Sequence, residues 1–356
     1  MELNWRELSV LLVIFAASST SGTTCPNKCK CSANFATISC QHQQLSQIPD
    51  GIPIQAHQLY LGYNLITRLP ENSFSTLVNL TEISLKNNEL VEIQAGAFSG
   101  LARLKYLYLT QNSLKLIGDR AFDGLVSLQQ LHLQQNQLIQ VPNLSAMSSL
   151  TRLSFANNKL KSIKIETNPP VTLRSLVFSN NPINKISADD FAPLKNCSLT
   201  KVDLSRCDLK SLEPGAFGNF PHLQSLSVSY NSNLQLAAIA SLIKDLANSS
   251  VLFALDISGS ISEEIPPNMF SSLQSVKLKQ LSLSHTTKCK VLQNGTFSGL
   301  PSLNFLDLSH SDIEQIETGA FFGLKDLQRL DMQNLNLGRV PYFPLPTLQQ
   351  LNLNHN

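Results

Sequence analysis

The chain has 356 residues, 27 Lys and Arg against 25 Asp and Glu, and a formal net charge of +2. No Lys/Arg block stands out, so composition gives no support for a nucleic-acid footprint and none is indicated as a partner. Length alone would suggest roughly two or three globular units, an expectation that the internal organisation of the chain overrides.

Residues 8–17 (LSVLLVIFAA) form an apolar run followed by small polar residues up to Cys25. Such a run is too short to cross a bilayer, which needs roughly 20 residues. It reads as a secretory signal peptide over residues 1–22, with Glu2 and Glu7 diluting Arg6. No later stretch is apolar enough to span a membrane, so anchoring would come only through segments beyond this chain. The secretory route places the protein outside the cell or on the outer side of the plasma membrane.

Seven cysteines follow: Cys25, Cys29, Cys31 and Cys40 crowd together, while Cys197, Cys207 and Cys289 lie apart. Behind a signal peptide a tight, even cluster means disulfides, whose three pairings the sequence leaves open. Zinc is disfavoured by the oxidising route and by the absence of two separated Cys-x-x-Cys knuckles. No metal or cofactor is implied. Residues 23–50 form a disulfide-bonded amino-terminal cap, because the first coil of a stack has no neighbour to cover its apolar end.

Residues 51–356 carry one phrase about thirteen times, the last copy incomplete: apolar, two variable, apolar, one variable, apolar, two variable, then usually asparagine. Clear copies are Leu80-Ile83-Leu85-Asn88, Leu104-Leu107-Leu109-Asn112 and Leu128-Leu131-Leu133-Asn136. The last slot falls at 64, 88, 112, 136, 158, 181, 207, 231, 260, 286, 311, 335 and 356. This period signals a leucine-rich-repeat solenoid, a curved horseshoe of the α/β class. A parallel β-sheet lines its concave face, and loops and short helices line its convex side.

Each repeat opens with a short strand of period two, as in Ile83-Ser84-Leu85, whose variable residues face solvent. The asparagines are scaffold: a buried amide must be satisfied, and its two ends can serve the backbone groups of neighbouring coils. Phe74, Phe98, Phe122, Phe191, Phe217, Phe270, Phe297 and Phe321 recur at a fixed offset and predict an aromatic spine under the convex side. Residues 140–147 (QVPNLSAM) lack the phenylalanine and predict a thinner convex side. Two stretches break the period. Residues 233–248 have helical spacing and predict a short convex helix from Leu236 to Leu246; residues 284–294 lack the expected apolar slots and predict a local bend or a projecting loop.

Cys207 occupies an asparagine slot and reads as a buried thiol. Cys197, ten residues away along the same coil, and Cys289, three coils on, are too far from it and from each other for a bridge. Five glycosylation acceptors occur, at Asn79, Asn143, Asn196, Asn248 and Asn294. All lie outside the asparagine column and the variable strand positions, leaving the concave face free of glycan.

No catalytic constellation is present: the seven histidines are scattered, and there is no HExxH, GxSxG, P-loop or dinucleotide fingerprint. The chain reads as a binding protein, not an enzyme, and the concave platform is its binding surface. Five of the six tyrosines (Tyr60, Tyr63, Tyr106, Tyr108 and Tyr230) lie on or beside that platform, four of them in the first three coils. Tyrosine offers large contact area with a polar tip and little rotamer entropy to lose. Gln58, Tyr60, Tyr63, Glu82, Tyr106, Tyr108, Gln130 and His132 are therefore the ligand-binding candidates. The plainer reading is that tyrosine favours strands. Asp203, Asp256, Asp307 and Asp331 of the later coils either extend the binding face or hold the turns after their strands.

The cap phrase Cys-Pro-x-x-Cys-x-Cys, eight residues, then Cys resembles the amino-terminal cap of extracellular leucine-rich-repeat proteins. That resemblance implies Cys25–Cys31 and Cys29–Cys40 bonds. With the 24-residue repeat, the phenylalanines and the irregular intervals, residues 25–356 look like a Toll-like receptor ectodomain. The family implies recognition of a protein, glycan or microbial ligand, dimerisation on binding, and signalling through a cytoplasmic domain not present here. A secreted or cell-surface adhesion, matrix or guidance protein is the alternative, and a lymphocyte-receptor-like antigen binder is a third. The chain stops on the ninth residue of a repeat with no carboxy-terminal cysteine cap, which reads as a fragment.

Overall fold

The computed structural model describes residues 24–165, 167–339, 342 and 344–356; the signal-peptide reading over residues 1–22 lies outside them. A short strand at the head of every repeat joins one 15-stranded sheet. Its first pair, Lys30–Cys31 with Thr37–Ser39, is antiparallel, and every later pair is parallel. The register never slips: Leu59, Ile83, Leu107, Leu131 and Leu153 stand side by side, at most 1% exposed, between half-buried or exposed neighbours. Period-two alternation over three residues buries only the central side chain, so the flanking two point to the concave surface.

The asparagine column holds the coils together. Asn112 donates through Nδ2 to the carbonyls of Leu85 (3.0 Å) and Leu109 (3.1 Å) and accepts at Oδ1 from the amide of Leu90 (3.1 Å). Asn64 does the same for the cap, donating to the Cys40 carbonyl and accepting from the amides of Gln43 and Leu45. Further along, Cys207, Ser260, Thr286 and Ser311 take the slot, and their shorter side chains keep only part of the pattern. The residue before each slot is left-handed, from Tyr63 (φ 59°) through Arg206 (54°), Tyr230 (55°), His285 (57°) and His310 (57°). Among these thirteen positions only Gly259 (φ 61°) lacks a Cβ. The turn therefore sets a row of side chains along one rim of the sheet.

The convex phenylalanines do not form one continuous spine. They fall into three blocks: Phe74–Phe98–Phe122 with centroids 5.7 and 6.1 Å apart, Phe191–Phe217–Phe220, and Phe270–Phe297–Phe321 at 6.1 and 5.7 Å. The first gap is the phenylalanine-poor coil, where Met147 is buried in its place and, among the described residues, no convex strand bridges Leu116–Ile117 to Lys185–Ile186. The second is helix α1 (Leu236–Leu246), whose buried Ile239, Leu242, Ile243 and Leu246 replace the ring. A further stacked pair, Phe155–Phe178 (5.5 Å), stands in the leucine slots of adjacent strands. Residues 284–294 keep the coil in register: Thr286 and Cys289 are buried in the vacant slots, and Val291–Leu292 pairs with Gln315–Ile316.

Cys25 is bonded to Cys31 and Cys29 to Cys40, while Cys197, Cys207 and Cys289 are free and buried.

Candidate ligand-binding site

Seven of the eight candidate residues share four adjacent strands, Gln58–Tyr60, Glu82–Ser84, Tyr106–Tyr108 and Gln130–His132. The register makes two rows of them. Gln58, Glu82, Tyr106 and Gln130 form one, continued by Arg152; Tyr60, Ser84, Tyr108 and His132 form the other. Tyr63 stands apart on the left-handed rim, stacked on His42 at 4.4 Å with the Lys86 ammonium 5.8 Å from its ring.

The first row begins as a hydrogen-bonded chain. Thr37 Oγ1 donates to Gln58 Oε1 (2.9 Å), and Gln58 Nε2 donates to Glu82 Oε2 (3.1 Å). In the second row Tyr108 and His132 stack with centroids 4.8 Å apart and planes 16° apart. Burial first, and then the Glu82 carboxylate, push the Tyr60 and Tyr108 phenols above the ordinary tyrosine value, so both remain neutral donors.

His132 is held along its own strand. It lies 3.3 Å from Gln130 Oε1 through Nε2 and 3.2 Å from Gln134 Nε2 through Nδ1. A neutral ring protonated at Nε2 satisfies both contacts. Burial and then the charge of Arg152 lower its pKa, which favours that neutral form. Gln134 Oε1 is left without a partner, the one such buried side-chain oxygen or nitrogen among the described residues. A bound group carrying an N–H or O–H would satisfy it.

His42, Thr37, Gln134 and Arg152 were not among the candidates. The first two lie in the cap, where no repeat template aligns them. Gln134 could have been found by extending the strand row two residues past His132.

The later coils differ. Asp203, Asp256, Asp307 and Asp331 each accept from the amide two residues on, at 2.9 to 3.0 Å, so they hold the turns after their strands. Asp256 and Asp307 also accept from Ser227 and Ser282 of the preceding coils. On the rim, Arg206 lies 4.1 Å over Tyr230, Tyr230 meets His285, and His285 stacks on His310. The glycosylation acceptors all lie off the concave strands: Asn196, Asn248 and Asn294 are exposed, and Asn79 and Asn143 are half-buried. Asn79 is engaged by the Ile54 carbonyl and by Arg103.

A parallel solenoid closed at one end by a disulfide-bonded cap defines a class. The leucine rich repeat family model matches residues 78–138, 197–242, 250–313 and 276–337, together more than half of the chain, and the protein belongs to that family. Over 97% of its length it is 26% identical to mouse (Mus musculus) CD180 antigen, of which the match covers 52%. It is 28% identical to Toll-like receptor 3 of Boselaphus tragocamelus over 49% of this chain and 20% of that protein. Bovine (Bos taurus) keratocan is 26% identical over 93% of this chain and 71% of its own length. The chain thus spans about half the length of the CD180 antigen it matches.

Solved structures share the fold: the TLR13–ssRNA13 complex (TM-score 0.52, 24% identity, 93% of this chain, 57% of that one) and the leucine-rich repeat domain of APL1B (TM-score 0.58, 22%, 100% and 87%). The mouse RP105/MD-1 complex aligns with a TM-score of 0.51 at 20% identity, over 92% of this chain and 75% of that one. The family and these relatives are of a non-enzymatic kind. Among the described residues no helix is long and apolar enough to cross a membrane.

Proposed function

We propose that the chain is the ligand-binding part of an extracellular receptor of the Toll-like type, engaged in innate pattern recognition through the concave face of its first coils. Four adjacent strands present Tyr60, Tyr106, Tyr108 and His132 beside Glu82 and the open Gln134 acceptor, and this observation carries the reading. Large, half-buried rings with polar tips are the side chains that anchor protein recognition. The likeness to CD180 antigen over nearly the whole chain supports the receptor class, and the disulfide cap supports an extracellular site of action. Under this reading residues 1–22 are a cleaved leader, residues 23–50 the cap and residues 51–356 the repeats. Glycans on Asn79, Asn143, Asn196, Asn248 and Asn294 would leave the platform bare, and a second receptor chain joins once ligand is bound.

The likeness to keratocan, which extends over most of both chains, favours a second reading as a secreted matrix or adhesion protein. The glycosylated protein should be screened by surface plasmon resonance against microbial wall glycans, lipopeptides, purified collagens and cell-surface ectodomains. The receptor reading expects a microbial ligand, bound at least tenfold more weakly by a Tyr60→Ala/Tyr106→Ala/Tyr108→Ala variant of unchanged circular dichroism. Binding to collagen alone, or a microbial ligand indifferent to the triple change, sinks it.

A further inference from the structure

We propose that the slot between Tyr60 and Tyr108 receives the guanidinium of an arginine presented by a partner protein, an inference that rests on the concave face of the first coils being the recognition surface. Tyr60, Ser84 and Tyr108 occupy equivalent places on three successive strands, and His132 stands next in the row. Where rings occupy neighbouring strands they stack, as Tyr108 and His132 do at 4.8 Å, which is about one strand spacing. Tyr60 and Tyr108 are two strands apart, roughly 9–10 Å. On the strand between them the same row holds the small side chain of Ser84. A flat group seated midway would lie about one strand spacing from a ring on each side, with a hydroxyl at its floor.

The charge of that group is set by Glu82. It lies two residues before Ser84 on the same strand, so it projects from the same face. Gln58 donates to one of its oxygens, the Tyr60 hydroxyl also interacts with the carboxylate, and among the described residues Glu82 forms no ion pair. Arg152, the cation of the same row, stands three strands away. A half-buried carboxylate between two phenols calls for a cation, and the flat gap calls for a planar one. Guanidinium is both: it stacks on aromatic faces and pairs with a carboxylate through two parallel N–H donors, which an ammonium does not. The stacking half of this arrangement recurs inside the chain where an arginine is at hand, with Arg206 4.1 Å over Tyr230 and Arg329 4.8 Å over Phe305. The first coils supply the rings and the anion and leave the arginine to the partner.

The test uses three biotinylated pentapeptides, Gly-Gly-Xaa-Gly-Gly with Xaa arginine, lysine or citrulline, each immobilised at equal high density and probed with the intact glycosylated protein. The arginine surface should retain at least tenfold more protein than the lysine or citrulline surface. Glu82→Gln, which keeps the shape, should reduce retention on arginine to the citrulline level. Ser84→Phe should do the same by filling the slot, and its circular dichroism and unfolding midpoint establish that it has folded. Equal retention on arginine and citrulline overturns the proposal, as does an arginine preference that survives Glu82→Gln. A microbial ligand that requires Tyr106 and Tyr108 but ignores both Glu82→Gln and Ser84→Phe also overturns it, while leaving the recognition face in place.

Discussion

The ring of Tyr230 lies across the backbone of Gly259, so close that a Cβ at residue 259 would stand 2.9 Å from its Cδ1. The missing side chain lets Tyr230 bridge two coils, with Arg206 over one part of the rim and His285 at 5.5 Å on the other. Gly259→Ala would close that passage and place a Cβ on a left-handed residue (φ 61°), a conformation that costs a non-glycine residue roughly 1–2 kcal/mol. The expected loss of stability is about 2 kcal/mol, read from urea unfolding. In a Tyr230→Ala background the same change should cost about 1 kcal/mol less, because only the backbone part remains. An equal cost in both backgrounds would show that the ring contact is immaterial.

The asparagine column carries a penalty of its own. Removing the Asn112 side chain strands the amide of Leu90, while the carbonyls of Leu85 and Leu109 keep a second donor each, Asn88 and Asn136. With one orphaned buried amide costing roughly 1–3 kcal/mol, Asn112→Ala should destabilise the protein by about 2 kcal/mol. Asn112→Ser should cost less, since Ser260 in the same slot of a later coil donates to the Val228 carbonyl and accepts from the Asn231 amide. Hydrogen exchange should locate the damage at Leu90. Uniform protection there in the alanine variant would contradict the ladder.

How much of this was legible beforehand differs between backbone and surface. The slot spacing numbers the coils, and the apolar phrase places every three-residue strand, because register in a solenoid is a one-dimensional problem set by the repeat. Helix α1 was readable from the 3.6-residue spacing of Leu236, Ile239, Leu242, Ile243 and Leu246. The division of the phenylalanines into blocks was less so, since it depends on which buried side chain replaces the ring in an irregular coil. Thr286 and Cys289 look polar or reactive in sequence, yet both are buried and keep residues 284–294 in line. At the surface, side-chain partnership is the illegible part. That His132 is held by Gln130 and Gln134 of its own strand, while Tyr230 reaches past Gly259, follows from rotamers and left-handed turns that no spacing encodes.

The three unpaired thiols should be chemically silent. Burial pushes Cys197 up to about 11, Cys207 up to about 12 and Cys289 up to about 11, so almost no thiolate exists near neutrality. A disulfide reagent such as dithionitrobenzoate at pH 8 should release no thiol from the native protein and three per chain in guanidinium. Rapid native labelling of any one of them would mean that its coil opens far below the global unfolding free energy.

His132 should couple the concave face of the first coils to pH. Burial, and then the Arg152 charge, hold its imidazole below the ordinary histidine value. The unfolded chain therefore takes up this proton before the folded one does as the pH falls. The stability contributed by neutral His132 is whole above about pH 6.5, the unfolded value, and is lost as the pH drops through the lower folded value. Protonation also turns Nδ1 into a donor, which breaks its contact with Gln134 Nε2 and sets a charge against the stacked Tyr108 ring. Urea unfolding between pH 8 and 5 should fall more steeply for the wild type than for His132→Gln, with the two curves running parallel above pH 7. Ligand affinity of the wild type should weaken over the same interval and that of the variant should not. Parallel curves throughout would mean that the imidazole titrates alike in both states, and the half-buried, neutral His132 of this face would have to be abandoned.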